Sequence, residues 1–253
     1  MLQSGYRLLD RQTGGFHKGE LVSIIGRPLM GRTIFALNLF RNIVLDGENN
    51  AVFLTSECPA CKAAEFLDRM NGNEQPGTAD RIVDISACKN VDALLELIRH
   101  LRAEKKVDVV ILDSFHYLTL FDDLSTSFLY ERLADTSRRI KQLAKELGIT
   151  IIMTSRTNYM VDERIGARGK MPQLSDTDKM GDLACFSDVV LGLYRPEVDG
   201  MLVDAMGYDM RHVLYVLILK SRMAVAEHAI KFSMSPGNCR ITEQQSLPLN
   251  NLV

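Results

Sequence analysis

Short runs of consecutive apolar, β-favouring residues recur along the chain, separated by longer stretches in which apolar positions return every third or fourth residue. The runs at 21–26, 51–56, 81–86, 107–113, 149–155 and 188–194 predict strands. The stretches 33–46, 59–71, 91–105 and 127–147 predict helices, several with acidic starts or glycine stops. Val109-Val110-Ile111-Leu112 is apolar at every position, so both faces of that strand need cover. Interior strands of a parallel sheet between helical layers meet that need. The expected fold class is therefore α/β, a mostly parallel central sheet flanked by helices. Beyond Tyr194 the pattern changes: 212–220 and 227–233 are close together and predict an antiparallel hairpin added at the sheet edge. The polar residues 244–253 predict a loose tail, and the absence of repeats or of a Pro/Gly/Ser-rich linker predicts one domain over 1–243.

A length of 253 residues suits a single α/β core, and 46% hydrophobic with 25% charged residues excludes a disordered or fibrous chain. Thirty Lys and Arg against 32 Asp and Glu leave a net charge of -2, so any contact with nucleic acid must come from a local patch. The five cysteines are odd in number and scattered, which points to reduced thiols and a cytoplasmic protein. Nothing at the N-terminus reads as a leader and no segment is long enough to span a membrane, so no membrane association is expected.

The strongest chemical signal is Gly26-Arg27-Pro28-Leu29-Met30-Gly31-Arg32-Thr33, set between an apolar strand and an amphipathic helix. Its glycine spacing is that of a P-loop (Walker A), whose backbone N–H groups and helix N-terminus wrap a phosphate chain while the Thr33 hydroxyl serves Mg²⁺. Arg32 occupies the lysine position, and a planar guanidinium does not place its charge where an ammonium does. Nucleotide binding is expected to survive this change and hydrolysis to suffer. Val107 to Asp113 reads as a Walker B strand that presents Asp113 to the water shell of Mg²⁺. Glu57, directly after the strand at 51–56, reaches the same carboxyl edge and is the candidate to orient and deprotonate an attacking water.

Taken in order, Thr13-Gly14-Gly15-Phe16, Lys18-Gly19-Glu20-Leu21, the P-loop with Phe35-Ala36-Leu37-Asn38, Ser56-Glu57, Ile111-Leu112-Asp113, Ser155 with Asn158, and Lys220-Ser221-Arg222 closely resemble the C-terminal, RecA-like ATPase domain of DnaB-type replicative helicases. The match runs from about Ser4 to Ile241. This resemblance implies a RecA-like P-loop NTPase that uses ATP and Mg²⁺, acts on single-stranded DNA in replication, and assembles with copies of itself or another replication protein. It makes Glu57 the catalytic base, assigns Thr33 and Asp113 to Mg²⁺, and matches Lys220 and Arg222 to a basic pair that enters the neighbouring subunit's nucleotide site. Lying two apart on what reads as a strand, Lys220 and Arg222 are expected to share a face. Two departures stand out: Arg32 for the P-loop lysine, and Arg156 where the family carries Gln. The family's N-terminal helicase domain and linker helix are not expected here, since the chain starts almost at the first strand. A non-motor nucleotide-binding regulator or adaptor of a replication complex is the alternative.

For DNA contact the resemblance points to two loops. Phe121-Asp122-Asp123 is acidic and unsuited to phosphate, whereas Arg164, Arg168 and Lys170, with two glycines and no intervening acid, could follow a phosphate backbone. Cys58-Pro59-Ala60-Cys61 at a helix start reads either as a redox or metal element or as two reduced thiols; no second ligand pair accompanies it. The five histidines are scattered and suggest no catalytic arrangement.

Overall fold

The computed structural model describes residues 1–72, 79–88, 90–116, 129–178, 182–222 and 228–248. Its centre is a nine-stranded sheet of β1 (Leu21–Gly26), β2 (Ala51–Thr55), β3 (Ile82–Asp84), β4 (Val109–Asp113), β5 (Thr150–Arg156), β6 (Val189–Tyr194), β7 (Val213–Lys220), β8 (His228–Met234) and β9 (Ile241–Pro248). The spatial order is β3-β2-β4-β5-β1-β6-β7-β8-β9; the first six are parallel and the last three antiparallel. Every residue of β1, β2, β4 and β6 is buried, as their uninterrupted apolar runs require.

The helices are α1 (Arg7–Thr13), α2 (Arg32–Asp46), α3 (Ala60–Asn71), α4 (Val91–Lys105), α5 (Leu129–Leu147) and the single turns α6 (Gly166–Gly169) and α7 (Leu183–Phe186). One face of the sheet packs against Leu9, Phe35, Leu39, Ala63 and Leu67 of α1 to α3; the other packs against Leu94, Ile98, Leu133, Ile140 and Leu143 of α4 and α5. Asn90 caps α4 by accepting from the Ala93 N–H at 2.9 Å.

The C-terminal end departs from the sequence expectation. Residues 244–248, read as the start of a loose tail, complete β9, which pairs with β8 from His228↔Pro248 to Met234↔Ile241. Their polar composition misled because an edge strand on a half-covered sheet keeps its outer positions in water. Glu243 is held further by the Leu8 N–H at 2.8 Å, and the Tyr6 hydroxyl donates to the Ile241 carbonyl at 3.2 Å. Tyr6, Phe35 and Phe232 form an aromatic cluster that joins the first segment, α2 and β8.

Parallel pairing puts the carboxyl ends of β2, β4, β5, β1 and β6 side by side. In that order they deliver Glu57, Asp113, Arg156, the Gly26–Thr33 loop and Arg195 to one edge, with Thr55 paired to Asp113 and Gly26 to Arg156.

Candidate nucleotide site

The loop after β1 turns into α2 through Leu29 (φ 67°) and Gly31 (φ 84°), both in the left-handed region. Gly31 takes that conformation without strain at the N-cap of α2, so the first N–H groups of a 15-residue helix open onto the edge. A cleft of about 270 Å³ lies there, lined by Leu29, Gly31, Arg32, Thr33, Ile34, Glu57 and Arg195.

Arg32 is 8% exposed. One terminal nitrogen lies 3.9 Å from Glu57 Oε1; the other, Nη1, is buried with no hydrogen-bond partner. Burial pushes the Arg32 pKa down, against the pull of Glu57 and Asp113. Glu57 is shared: Arg156 approaches the same oxygen at 3.7 Å, and Ser114 Oγ donates to it at 2.9 Å. Asp113 is fully buried at the end of β4, where Thr154 of neighbouring β5 donates to its Oδ1 at 2.5 Å. Burial raises the Asp113 pKa, opposed chiefly by the hydroxyls of Thr154 and Thr33. His116 lies against Ser155 and the Arg156 N–H, both 3.4 Å from its Nδ1, and its pKa falls from 6.5 to about 4 through burial and the Arg32 and Arg156 charges.

Thr33 and Asp113 supply the hydroxyl and carboxylate oxygens that suit Mg²⁺, and Oδ2 of Asp113 is buried without a hydrogen-bond partner. The donor types therefore fit that ion.

Sequence reasoning missed the second rank of residues. Arg27 of the loop donates to Asp162 at 3.1 Å and to Asp199 at 2.5 Å. Arg195 donates to the Leu29 carbonyl at 3.0 Å and pairs with Glu197, which also accepts the His212 N–H at 3.0 Å. The alternation Arg195-Pro196-Glu197 directly after a buried strand was the available signal.

Other expectations are revised. Arg164, read as a DNA-facing cation, turns inward: it pairs with the fully buried Asp176 through both terminal nitrogens and donates to the Gly169 and Met171 carbonyls at 3.3 and 3.4 Å. The acid lies twelve residues away, outside the loop that spacing inspected. Lys170 sits 3.7 Å from Asp199, and Arg168 is exposed on α6. Lys220 and Arg222 do not share a strand face, because β7 ends at Lys220. Lys220 donates to the Ala184 and Ser187 carbonyls at 2.6 and 2.8 Å, and Arg222 lies 2.9 Å from Asp188. The acidic loop 121–123 lies outside the described residues. Cys58 is pushed up by burial, the direction opposite to thiolate activation, and Cys61 is exposed.

The family model described as DnaB-like helicase C terminal domain matches residues 1–75 and 68–236, nearly the whole chain. The chain belongs to the DnaB-like helicase C-terminal domain family. Among relatives, it is 25% identical over 246 residues to the replicative DNA helicase DnaB of Geobacillus stearothermophilus, covering 87% of this chain and 52% of that protein. It is 29% identical over 218 residues to the DnaB of Helicobacter pylori, covering 77% and 43% respectively. The chain thus spans about half the length of the curated relatives it matches. In fold it is similar to a DnaB-like replicative helicase solved in a study of its interactions with primase, with a TM-score of 0.79 at 20% identity, covering 96% of this chain and 62% of the other. A KaiC-like protein of Pyrococcus horikoshii follows the same RecA-like fold with a TM-score of 0.67 at 20% identity, covering 96% and 98%. Among the described residues no helix is long and apolar enough to cross a membrane.

Proposed function

We propose that this DnaB-like domain binds ATP in the Gly26–Thr33 cleft and serves as a helicase or translocase homologue on single-stranded DNA in replication, with hydrolysis slowed by Arg32. The observation that carries this reading is the P-loop after β1, where Gly31 opens the N-terminus of α2 onto a cleft and buried Arg32 keeps its Nη1 without a hydrogen-bond partner. A buried donor left unmatched is costly, and a phosphate oxygen is the partner that such a loop offers.

The residues divide the work. The loop N–H groups and the N-terminus of α2 would hold the phosphates, and Thr33 with Asp113 would hold Mg²⁺ when present, which supplies charge neutralisation at the phosphates. Glu57 is the base candidate for the attacking water, but in this arrangement its Oε1 is taken up by Ser114, Arg32 and Arg156. A carboxylate oxygen already held by a hydroxyl and approached by two guanidiniums is less free to orient an attacking water, which supports slow turnover. The same observation favours a second reading, a non-motor nucleotide-binding regulator or adaptor. Arg168 and Lys170 remain the proposed phosphate contacts for DNA; Arg164 no longer belongs with them.

The test is a measured ATP affinity beside a turnover assay with and without single-stranded DNA. Binding with slow turnover that DNA stimulates supports the motor reading. Binding without DNA-stimulated turnover supports the regulator, and absence of binding sinks both.

A further inference from the structure

Ser114, Arg32 and Arg156 all address Glu57 Oε1, but on unequal terms. The Ser114 hydroxyl donates to it at 2.9 Å, a hydrogen bond. The guanidiniums stand off at 3.9 and 3.7 Å, beyond hydrogen-bond reach, so they attract without fixing a direction. The hydroxyl is what sets where the oxygen lies. Ser114 is fully buried and is the first residue past β4. Its backbone is held too: its N–H donates to Ser56 Oγ at 3.2 Å, and Ser56 Oγ donates to its carbonyl at 3.3 Å. The Ser56 N–H donates to the Asp113 carbonyl at 2.7 Å. Ser56 directly precedes Glu57 and Asp113 directly precedes Ser114, so these bonds lock the ends of β2 and β4 together beside the Ser114–Glu57 contact. Moving Glu57 off would take the acceptor away from a hydroxyl buried away from solvent, and an unmatched buried donor is costly. The hold is therefore directional, rigidly mounted and expensive to break.

We infer that Ser114 is a positioning residue that parks Glu57: its hydroxyl fixes Oε1 against the end of β4 and keeps the carboxylate from turning to the water it would activate, so that turnover is slowed here as well as at Arg32. Without that hydroxyl the two guanidiniums still attract Glu57 but tolerate its rotation. Its side chain, 25% exposed in the cleft wall, then gains freedom to reorient. This inference rests on the nucleotide reading above and adds to it a control point that lies outside the P-loop.

The experiment is steady-state ATP hydrolysis in Mg²⁺ by the full chain, with ATP affinity titrated alongside, for wild type, Ser114→Ala, Glu57→Gln and the double variant. The expected result is a kcat at least about fivefold higher in Ser114→Ala, with KM and affinity within about threefold of wild type. In the Glu57→Gln background the same Ser114→Ala change should give no rise. A serine with a merely structural role would not produce a gain that depends on Glu57. An unchanged or lower kcat in Ser114→Ala overturns the inference, and so does a rise that persists in the Glu57→Gln background; with ATP still bound, the nucleotide reading stands in both cases. No binding of ATP by wild type removes both. If Ser114→Ala does not fold, Ser114→Cys, similar in size but a weaker donor, makes the same comparison and must also raise kcat.

Discussion

At the residue scale, the proposed chemistry turns on Arg32. At 3.9 Å its attraction to Glu57 is gross, about 4 kcal/mol at an effective dielectric near 20, and comparable to the cost of burying a guanidinium. The pair therefore holds position rather than adding stability, and a ligand that satisfies Arg32 can displace it. Arg32→Lys should raise turnover by about tenfold or more while changing affinity in Mg²⁺ by less than about threefold. A steady-state assay paired with titration checks this, and an unchanged rate would free Arg32 of responsibility. His116 gives a second prediction. Its folded pKa, about 4, lies below its ordinary 6.5, so between these values the unfolded chain binds more protons and stability falls as pH is lowered. The loss approaches about 3 kcal/mol once pH is below 4, and His116→Gln should flatten it. Urea melts of both proteins across that window measure the difference. Asp113 works in the opposite direction, its raised pKa giving the folded state the greater proton affinity, so the comparison of variants isolates His116. The P-loop, Glu57 and Asp113 were legible because each sits within a few residues of a strand end. The contacts that modulate them, from Ser114, Thr154 and Arg195, come from different strands and become neighbours only when the sheet order is known.

Among the elements, the segment between β5 and β6 combines a cationic sequence with an interior anchor. Arg164 on buried Asp176 is structural, so Arg164→Ala should cost about 3 kcal/mol or more by leaving an unpaired buried carboxylate. Lys170→Ala, which removes a 3.7 Å contact from a largely buried Asp199 that keeps its hydrogen bond from Arg27, should cost under about 1 kcal/mol. Denaturant midpoints separate the two, and equal losses would refute the distinction. If this segment binds single-stranded DNA, substituting Arg168 and Lys170 should lower the log–log salt slope by roughly 0.7 per lost phosphate contact. The parallel half of the sheet was readable from apolar runs, because strands buried on both faces leave no polar positions to confuse the pattern. β9 was not, since half of its side chains face water and its pairing depends on a partner strand.

For the whole molecule, membership in a family of replicative helicase domains raises the question of assembly. Lys220 and Arg222 are occupied within the chain, but unequally: Lys220 is half-buried on two carbonyls, whereas the Arg222 side chain is 63% exposed. Arg222 can be released cheaply and Lys220 cannot. If subunits complete one another's sites, hydrolysis should rise faster than linearly with protein concentration. Arg222→Ala should then abolish that rise while shifting stability by less than about 1 kcal/mol. Specific activity independent of concentration would assign Arg222 to Asp188 alone.

The closure of the first segment against β8 and β9 bears on how the chain is made. Tyr6 reaches Ile241 across 235 positions, and Asn38 of the phosphate-loop helix donates to Cys239 and accepts from the Ile241 N–H. During vectorial synthesis the ribosome therefore releases α2 long before the strands that cover it exist, and for that interval Phe35 and Tyr6 lack their aromatic partner Phe232. Contacts of such sequence separation form late and slowly, so nucleotide competence should appear only after the final strands emerge. Nascent chains stalled before residue 228 should stay open to protease within α2, and those that have cleared residue 248 should become resistant.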